Sequence, residues 1–188
     1  MTQEELNEVL RLHKQWLESN GNKGKRADLR RANLKGANLQ DAHMQGADMR
    51  GADLRRANLK DANLQGANLQ DAHMRGADMK DAKLQNAYLY GADMRGAHMR
   101  GADMHRADMR GADIRGADVD YSVWPLWCGS FDVKCDIRLA SQLAYHFCRL
   151  DCEDKEVVAA QNALITLANK FHRVEECGVL KPKPTLES

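Results

Sequence analysis

Alanine recurs at every fifth residue from Ala27 to Ala117, and this unbroken period constrains the fold more than any other feature. Residues 27–121 divide into 19 five-residue units without an insertion. The third residue is Leu in nine units, Met in eight, and Ile or Val in the last two, while the fifth is mostly Gly, Asp or Arg. A repeat this short and regular predicts a stack of similar units rather than an ordinary globular core.

Neither regular secondary structure accommodates a period of five. In an α-helix the large apolar residue would advance by about 140° per unit, so no apolar face would form. In a continuous strand the alanine of each new unit would fall on the opposite face from the preceding Leu or Met. A short strand with its first and third residues inward, followed by a turn at the fourth and fifth, removes the conflict. The pattern therefore predicts an all-β solenoid with a core of alanine, leucine and methionine.

These units resemble the pentapeptide repeat family, whose pattern is A(D/N)LXX. The resemblance implies a right-handed, quadrilateral parallel β-helix with roughly twenty residues per coil, hence about 4.75 coils here. It also implies a bacterial or phage protein that is not an enzyme and that binds another protein. The usual Asp or Asn of the second position is replaced at His43, His73, Lys83, Tyr88 and His98.

If residues twenty apart stack, one side of the solenoid carries a row of cations at the fourth position. This candidate interaction ladder consists of Lys35, Arg55, Arg75, Arg95 and Arg115. A regular cation row could follow the phosphates of a nucleic acid. However, an Asp lies two residues before three of the arginines and can neutralise them, and the repeats together hold 15 Lys+Arg against 14 Asp+Glu. Tyr88 and Tyr90 form a second candidate contact patch.

The charge of the chain bears on two alternative functions. The best-known members of the family are acidic rods that resemble duplex DNA and protect gyrase and topoisomerase from quinolones. That mimicry requires a strongly negative surface, whereas this chain has 28 Lys+Arg and 27 Asp+Glu. Direct nucleic-acid binding is disfavoured by the same near-neutrality and by the scarcity of aromatic residues for base stacking. A protein-interaction scaffold remains the favoured function.

The segments outside the repeats are predicted to be helical caps. Residues 1–26 contain an amphipathic helix with a capping box at Thr2 and Glu5, and a linker. His13 lies on the apolar stripe of this helix and is interpreted as structural. Residues 122–188 contain two helical patterns that could cap the solenoid or form a homodimer. The candidate residues for these roles are Trp124, Trp127, Leu164, Leu167 and Phe171.

Five cysteines occur after the repeats, at positions Cys128, Cys135, Cys148, Cys152 and Cys177. Their spacing lacks the paired C-x2–4-C motifs of zinc sites, so they are interpreted as small buried thiols, with no metal or cofactor and no catalytic set. No apolar run approaches ~20 residues and the N-terminus is acidic, which predicts neither a membrane span nor a signal peptide. With an odd cysteine count, the chain is expected to be cytoplasmic.

Overall fold

The computed structural model describes residues 1–120, 122, 133–148, 155–170 and 179–182. The chain divides into two compact units, Met1–Lys134 and Cys135–Ser188. The first unit contains helix α1 (Gln3–Glu18) and the repeats, and the second contains helices α2 (Ile137–Cys148) and α3 (Lys155–Ala168).

The repeats stack with a register of twenty residues. Parallel bridges join the second residue of each unit to the second residue of the unit twenty positions later, as in Asp28 with Asp48 and Asn63 with Lys83. Four units therefore make one coil, and the outside of the coils presents four walls. The predicted short strands are wrong in one respect. Among the described residues, each unit contributes a single bridged residue rather than an extended strand, because a turn follows after three residues.

The interior is built from the first and third residues of each unit, as predicted. From Ala47 to Ala117 every alanine and every Leu, Met or Ile at these positions is at most 1% exposed. All eight methionines of the repeats lie in this core, with 0% exposure, which agrees with packing by a flexible apolar side chain.

The fifth residue of each unit, from 31 to 116, adopts a positive φ between 55° and 73°. The N–H of the next alanine donates to the carbonyl of the third residue, for example Ala32 N to Leu29 O at 3.0 Å. A positive φ at the second central residue of such a turn characterises a type II turn and explains the ten glycines. Three arginines also occupy this position, Arg31, Arg56 and Arg106, although a left-handed conformation costs an L-residue about 1 kcal/mol or more.

The Asp or Asn at the second position completes the backbone hydrogen bonding of its unit. In unit 62–66 all five backbone N–H groups are satisfied, one by the turn, three by neighbouring coils, and one by the side chain of Asn63. The bonds are Ala62 N to Leu59 O (3.1 Å), Asn63 N to Ala42 O (2.9 Å), Leu64 N to Lys83 O (2.7 Å), Gln65 N to Asn63 Oδ1 (3.2 Å) and Gly66 N to Gln85 O (3.0 Å). A short side-chain acceptor at this position therefore satisfies the one backbone N–H that neither the turn nor a neighbouring coil can reach.

Helix α1 closes the first coil. The predicted capping box is present, since Glu5 N donates to Thr2 Oγ1 at 3.1 Å and Thr2 N donates to Glu5 Oε2 at 2.8 Å. His13 is 0% exposed, stacks on Trp16, and accepts the Ala27 N–H through Nδ1 at 3.0 Å. This arrangement is consistent with the structural role expected for His13.

Gln3 supplies the hydrogen bonds that a preceding coil would have made. Its Nε2 donates to Asn38 O at 3.0 Å, and its Oε1 accepts from Asn38 N at 3.0 Å. Deeper in the stack the same two backbone groups of a second-position residue bond to the coil before it, as Asp48 does with Ala27 and Leu29. One amide side chain thereby satisfies an otherwise open edge.

At the other end of the first unit Lys134 pairs with the last coil. It forms a parallel bridge with Asp113, its N–H donates to Ala112 O at 2.8 Å, and its carbonyl accepts from Ile114 N at 2.9 Å. Trp124 and Trp127, predicted to plug this end, lie outside the described residues.

In the second unit α2 and α3 pack together around a small core of Ala144, Tyr145, Cys148 and Ala168. Leu164 and Leu167 pack against this cluster and are partly buried, whereas Phe171 lies outside the described residues. Leu143 of α2 is 40% exposed.

Candidate interaction surface

The second and fourth residues of each unit point outward and form the surface of the walls. We number the walls from the unit that begins at Ala27. The second wall comprises units 32–36, 52–56, 72–76, 92–96 and 112–116. It carries six cations and three anions, whereas the third wall, which follows it round each coil, carries three cations and six anions. Positive charge is therefore concentrated on the second wall, which contains the whole predicted ladder.

Three arginines of the ladder are held by the Asp two residues earlier. Arg55 donates through Nε and Nη2 to both carboxylate oxygens of Asp53, and Arg95 does the same to Asp93. Arg115 and Asp113 form the third pair, with Nε to Oδ1 at 2.9 Å and Nη2 to Oδ2 at 2.6 Å. The hydrogen bonds from the Arg55 side chain are the largest cause that lowers the pKa of Asp53, to about 2. These cations are therefore largely neutralised within the wall.

The pairing depends on which residue occupies the second position of the unit. Asn33 precedes Lys35 and His73 precedes Arg75, so neither cation has a carboxylate two residues before it. Arg56 stands at a fifth position, outside the ladder. Among the described residues the side chains of Lys35, Arg56 and Arg75 form no ion pair.

An open cleft of about 460 Å³ brings the paired and unpaired cations of the second wall together. Its lining consists of cations and glycines, namely Lys35, Arg55, Arg56, Arg75, Gly76, Arg95 and Gly96. We call this set the basic cleft. Four of its five cations belong to the predicted ladder. The fifth, Arg56, was not predicted; its signal in the sequence is a long cation where the turn favours Gly, Asn or Asp.

The first wall has a larger open cleft, of about 650 Å³, lined by Asp28, Arg30, Arg31 and Arg50. Its charges largely compensate one another, because Arg30 is bidentate on Asp28 and Arg50 is bidentate on Asp48. The basic cleft differs from it because, within the described part of the chain, its lining includes no acidic residue.

Tyr88 and Tyr90 also lie on the first wall and are 49% and 50% exposed. The Arg110 guanidinium is centred 6.0 Å from the Tyr90 ring, at the outer limit of a cation–π contact. About half of each side chain is therefore accessible, and the contact patch stays a prediction.

Two of the five cysteines lie among the described residues, and both are free thiols. Cys148 is buried and its Sγ donates to Gln161 O at 3.3 Å, but Cys135 is exposed, so the expectation of buried thiols is wrong for Cys135. Cys128, Cys152 and Cys177 lie outside the described residues. Within the described part of the chain, no group of three or more His, Cys, Asp or Glu is arranged to hold a metal ion.

Among the same residues, no helix combines the length and apolar character that a membrane crossing requires.

Comparison with known proteins places the similarity in the repeats. A family profile described as pentapeptide repeats matches residues 25–61, 57–96 and 82–120. No curated protein sequence matches the chain.

Several solved structures are similar to the chain. One is a pentapeptide repeat protein from the thylakoid lumen of Arabidopsis thaliana, with 32% identity over 46% of this chain and 61% of that chain, and a TM-score of 0.46. The chain thus spans about three fifths of the length of that relative. A pentapeptide repeat protein from Nostoc PCC 7120 is 30% identical over 68% of this chain and 95% of that chain, with a TM-score of 0.37. QnrB1, a plasmid-mediated fluoroquinolone resistance protein, is 18% identical over 68% of this chain and 72% of its own, with a TM-score of 0.33.

Proposed function

Because the chain belongs to the pentapeptide repeat family, we propose that it is a non-enzymatic scaffold that binds another protein through the walls of its solenoid. Proteins of this family are generally structural or interaction proteins. The molecular target is not identified by the family, since fold alone does not specify function.

One observation carries the proposal. The repeats direct their large apolar side chains into the core, and they use their backbone N–H groups for turns and for stacking. What the walls offer a partner is therefore a set of outward side chains at fixed spacing, with little rearrangement needed on binding. Such preorganisation reduces the entropic cost of association.

Gyrase protection is the first alternative, and the charge of the walls argues against it. A mimic of duplex DNA needs a continuous negative surface, but the second wall has twice as many cations as anions. Nucleic-acid binding through Lys35, Arg55, Arg75, Arg95 and Arg115 is the second alternative. The ion pairs of Arg55, Arg95 and Arg115 weigh against it, because each paired aspartate reduces the net positive charge that a phosphate backbone would meet along the row.

We also propose a right-handed coil, as the family implies, a cytoplasmic location, in keeping with the odd cysteine count, and a homodimer formed through α2 and α3. The dimer is supported by the exposure of Ile137 (61%) and Leu143 (40%) on α2. Light scattering across micromolar concentrations tests it. The native chain should have twice the monomer mass and Leu143→Glu the monomer mass, and a monomeric native chain would exclude the dimer.

A wall-resolved capture experiment tests the scaffold. The native chain, a first-wall variant (Tyr88→Ala/Tyr90→Ala) and a third-wall variant (Lys60→Ala/Lys80→Ala) serve as baits in extracts of the cells that express it. A scaffold should retain a protein that one variant loses and the other keeps. The affinity of that protein, measured with both components purified, should fall in the same variant.

Capture that neither these variants nor substitution of the basic cleft on the second wall changes, or that does not saturate with purified components, would contradict a scaffold role for the walls. Circular dichroism and thermal melting of each variant provide the folding control, since all four substituted side chains are at least partly exposed.

A further inference from the structure

We propose that the basic cleft binds an acidic α-helix of a partner protein, one that presents a carboxylate at each turn of one face. This inference rests on the proposed scaffold function and specifies the partner chemistry of one wall.

The basic cleft holds positive charge that no ion pair of the described residues compensates. Lys35, Arg56 and Arg75 lie in one cleft, and none of them has an ion-pair partner among the described residues. Internal neutralisation therefore does not explain their presence. Arg56 adopts φ 57° in a turn where glycine, asparagine or aspartate would be less costly, so the turn does not explain it either.

Two arginines in the same cleft are preorganised. Asp53 and Asp93 hold the guanidinium groups of Arg55 and Arg95 through two hydrogen bonds each. A guanidinium has five N–H donors, so each group retains donors for a further carboxylate. Because these arginine side chains are already held in place, they lose less conformational entropy when a ligand binds.

The spacing of the cations along the solenoid favours a helix over an extended segment. Stacked coils lie ~4.8 Å apart, so the positions of Lys35 and Arg75 are about 10 Å apart along the solenoid. Carboxylates at i, i+4 and i+7 of a helix span ~10.5 Å, with one acid at each turn. Alternate residues of a strand would span ~13.6 Å over the same three groups, a mismatch of about 4 Å.

The alternation of charges on this wall disfavours a nucleic acid as its ligand. Asp53, Asp93 and Asp113 alternate with the cations, so a continuous phosphate backbone along the wall would meet repulsion in three of its five units. The wall contains no Phe, Tyr or Trp on which bases could stack. A helix with separate carboxylates can place each acid beside a cation and leave the aspartates without a contact.

The test uses two labelled peptides and two triple variants in fluorescence anisotropy. One alanine-rich peptide of ~20 residues carries glutamates on a single helix face, and the second has the same composition with glutamates distributed round the helix. The test variant is Lys35→Gln/Arg56→Gln/Arg75→Gln. The matched control is Arg31→Gln/Lys83→Gln/Arg106→Gln. It also removes three cations that form no ion pair with any described residue, and it also alters left-handed turn positions, but on other walls.

The native chain should bind the one-faced peptide more tightly than the permuted peptide. The test variant should bind the one-faced peptide about tenfold more weakly, as expected for the loss of three exposed charge contacts, while the control should stay within about twofold. Equal weakening in both variants, equal binding of both peptides, or absence of binding at low salt would overturn the inference. Tighter binding of a DNA duplex than of the one-faced peptide, lost in the test variant, would assign the cleft to nucleic acid instead.

The failure of this inference can be told apart from the failure of the scaffold proposal. A captured partner that the test variant still binds with native affinity would refute the role of the basic cleft and leave the scaffold intact. If the cleft binds the one-faced peptide but no protein capture depends on a wall, the role of the basic cleft would stand and the scaffold proposal would be refuted.

Discussion

Replacing Gly24 by alanine should detach the N-terminal cap from the first coil. Gly24 has φ +70°, and a Cβ built on it would lie 2.2 Å from Leu12 O and 2.7 Å from Trp16 N. Both contacts are backbone atoms of α1, so no side-chain rotation can relieve the overlap. The linker would have to move away from the helix, which breaks the hydrogen bond from Lys25 N to Leu12 O (3.0 Å).

The chain contains a matched control for this substitution. Gly36 has φ +67°, but nothing lies within 4 Å of a Cβ built there. The backbone penalty of a left-handed alanine is therefore the same in Gly24→Ala and Gly36→Ala and cancels in the comparison. The remaining difference comes from the overlap and from the cap contacts that it breaks.

The size of the difference can be estimated from those contacts. The lost hydrogen bond contributes about 1 kcal/mol, and strain from forced overlap typically costs ~1–3 kcal/mol. We therefore expect Gly24→Ala to lower the free energy of unfolding by roughly 2–4 kcal/mol more than Gly36→Ala. Urea unfolding followed by circular dichroism measures this difference.

Hydrogen exchange shows which part of the chain is destabilised. This is needed because stacked repeats can unfold from one end, so that one free energy of unfolding does not describe every coil. The amide of Ala27, which donates to His13, should lose protection in Gly24→Ala and keep it in Gly36→Ala. Free energies of unfolding within about 0.5 kcal/mol of each other, with equal protection at Ala27, would refute the proposed steric cause.

Three further predictions concern other parts of the molecule. Asn63→Ala should lower the free energy of unfolding in urea by about 1 kcal/mol, because it removes the acceptor for the Gln65 N–H. His43→Ala, on the preceding coil, should be nearly neutral, since His43 accepts no such bond from a described residue. Equal losses of stability would contradict the role of Asn63 as a hydrogen-bond acceptor. Burial lowers the pKa of His13, so the unfolded chain binds a proton more readily and stability should fall as pH drops from about 7 through 6.5 towards the lower folded pKa. His13→Gln should flatten this decline in pH-dependent unfolding, and an unchanged slope would show that other groups cause it. Excess protein should leave gyrase supercoiling unaffected, and inhibition or quinolone protection in that assay would restore the DNA-mimic hypothesis.

The sequence predicted the repeats well because their structure depends on neighbours within one unit. Ala62 and Leu64 point inward and Gly66 forms the turn for reasons that five residues contain. The capping box of Thr2 and Glu5 is equally local. Contacts distant in sequence were missed, since no local pattern marks Gln3 as the partner of Asn38 or Lys134 as the partner of Asp113.

The predicted ladder shows the same difference between features set by neighbouring residues and contacts distant in sequence. Its five members could be aligned from the period alone, and the pairing of Arg55 with Asp53 follows from a spacing of two residues. The basic cleft could not be recognised in this way, because it joins Arg56, from a corner, to cations of the coils on either side.

The sequence by itself determined which side chains face the core and where each turn falls, because a period of five fixes the direction of every residue relative to its neighbours. Only the tertiary structure decided which cations remain unpaired and which edges are closed. Those properties depend on the register between coils and on segments folded back onto them, where residues twenty or more positions apart become neighbours.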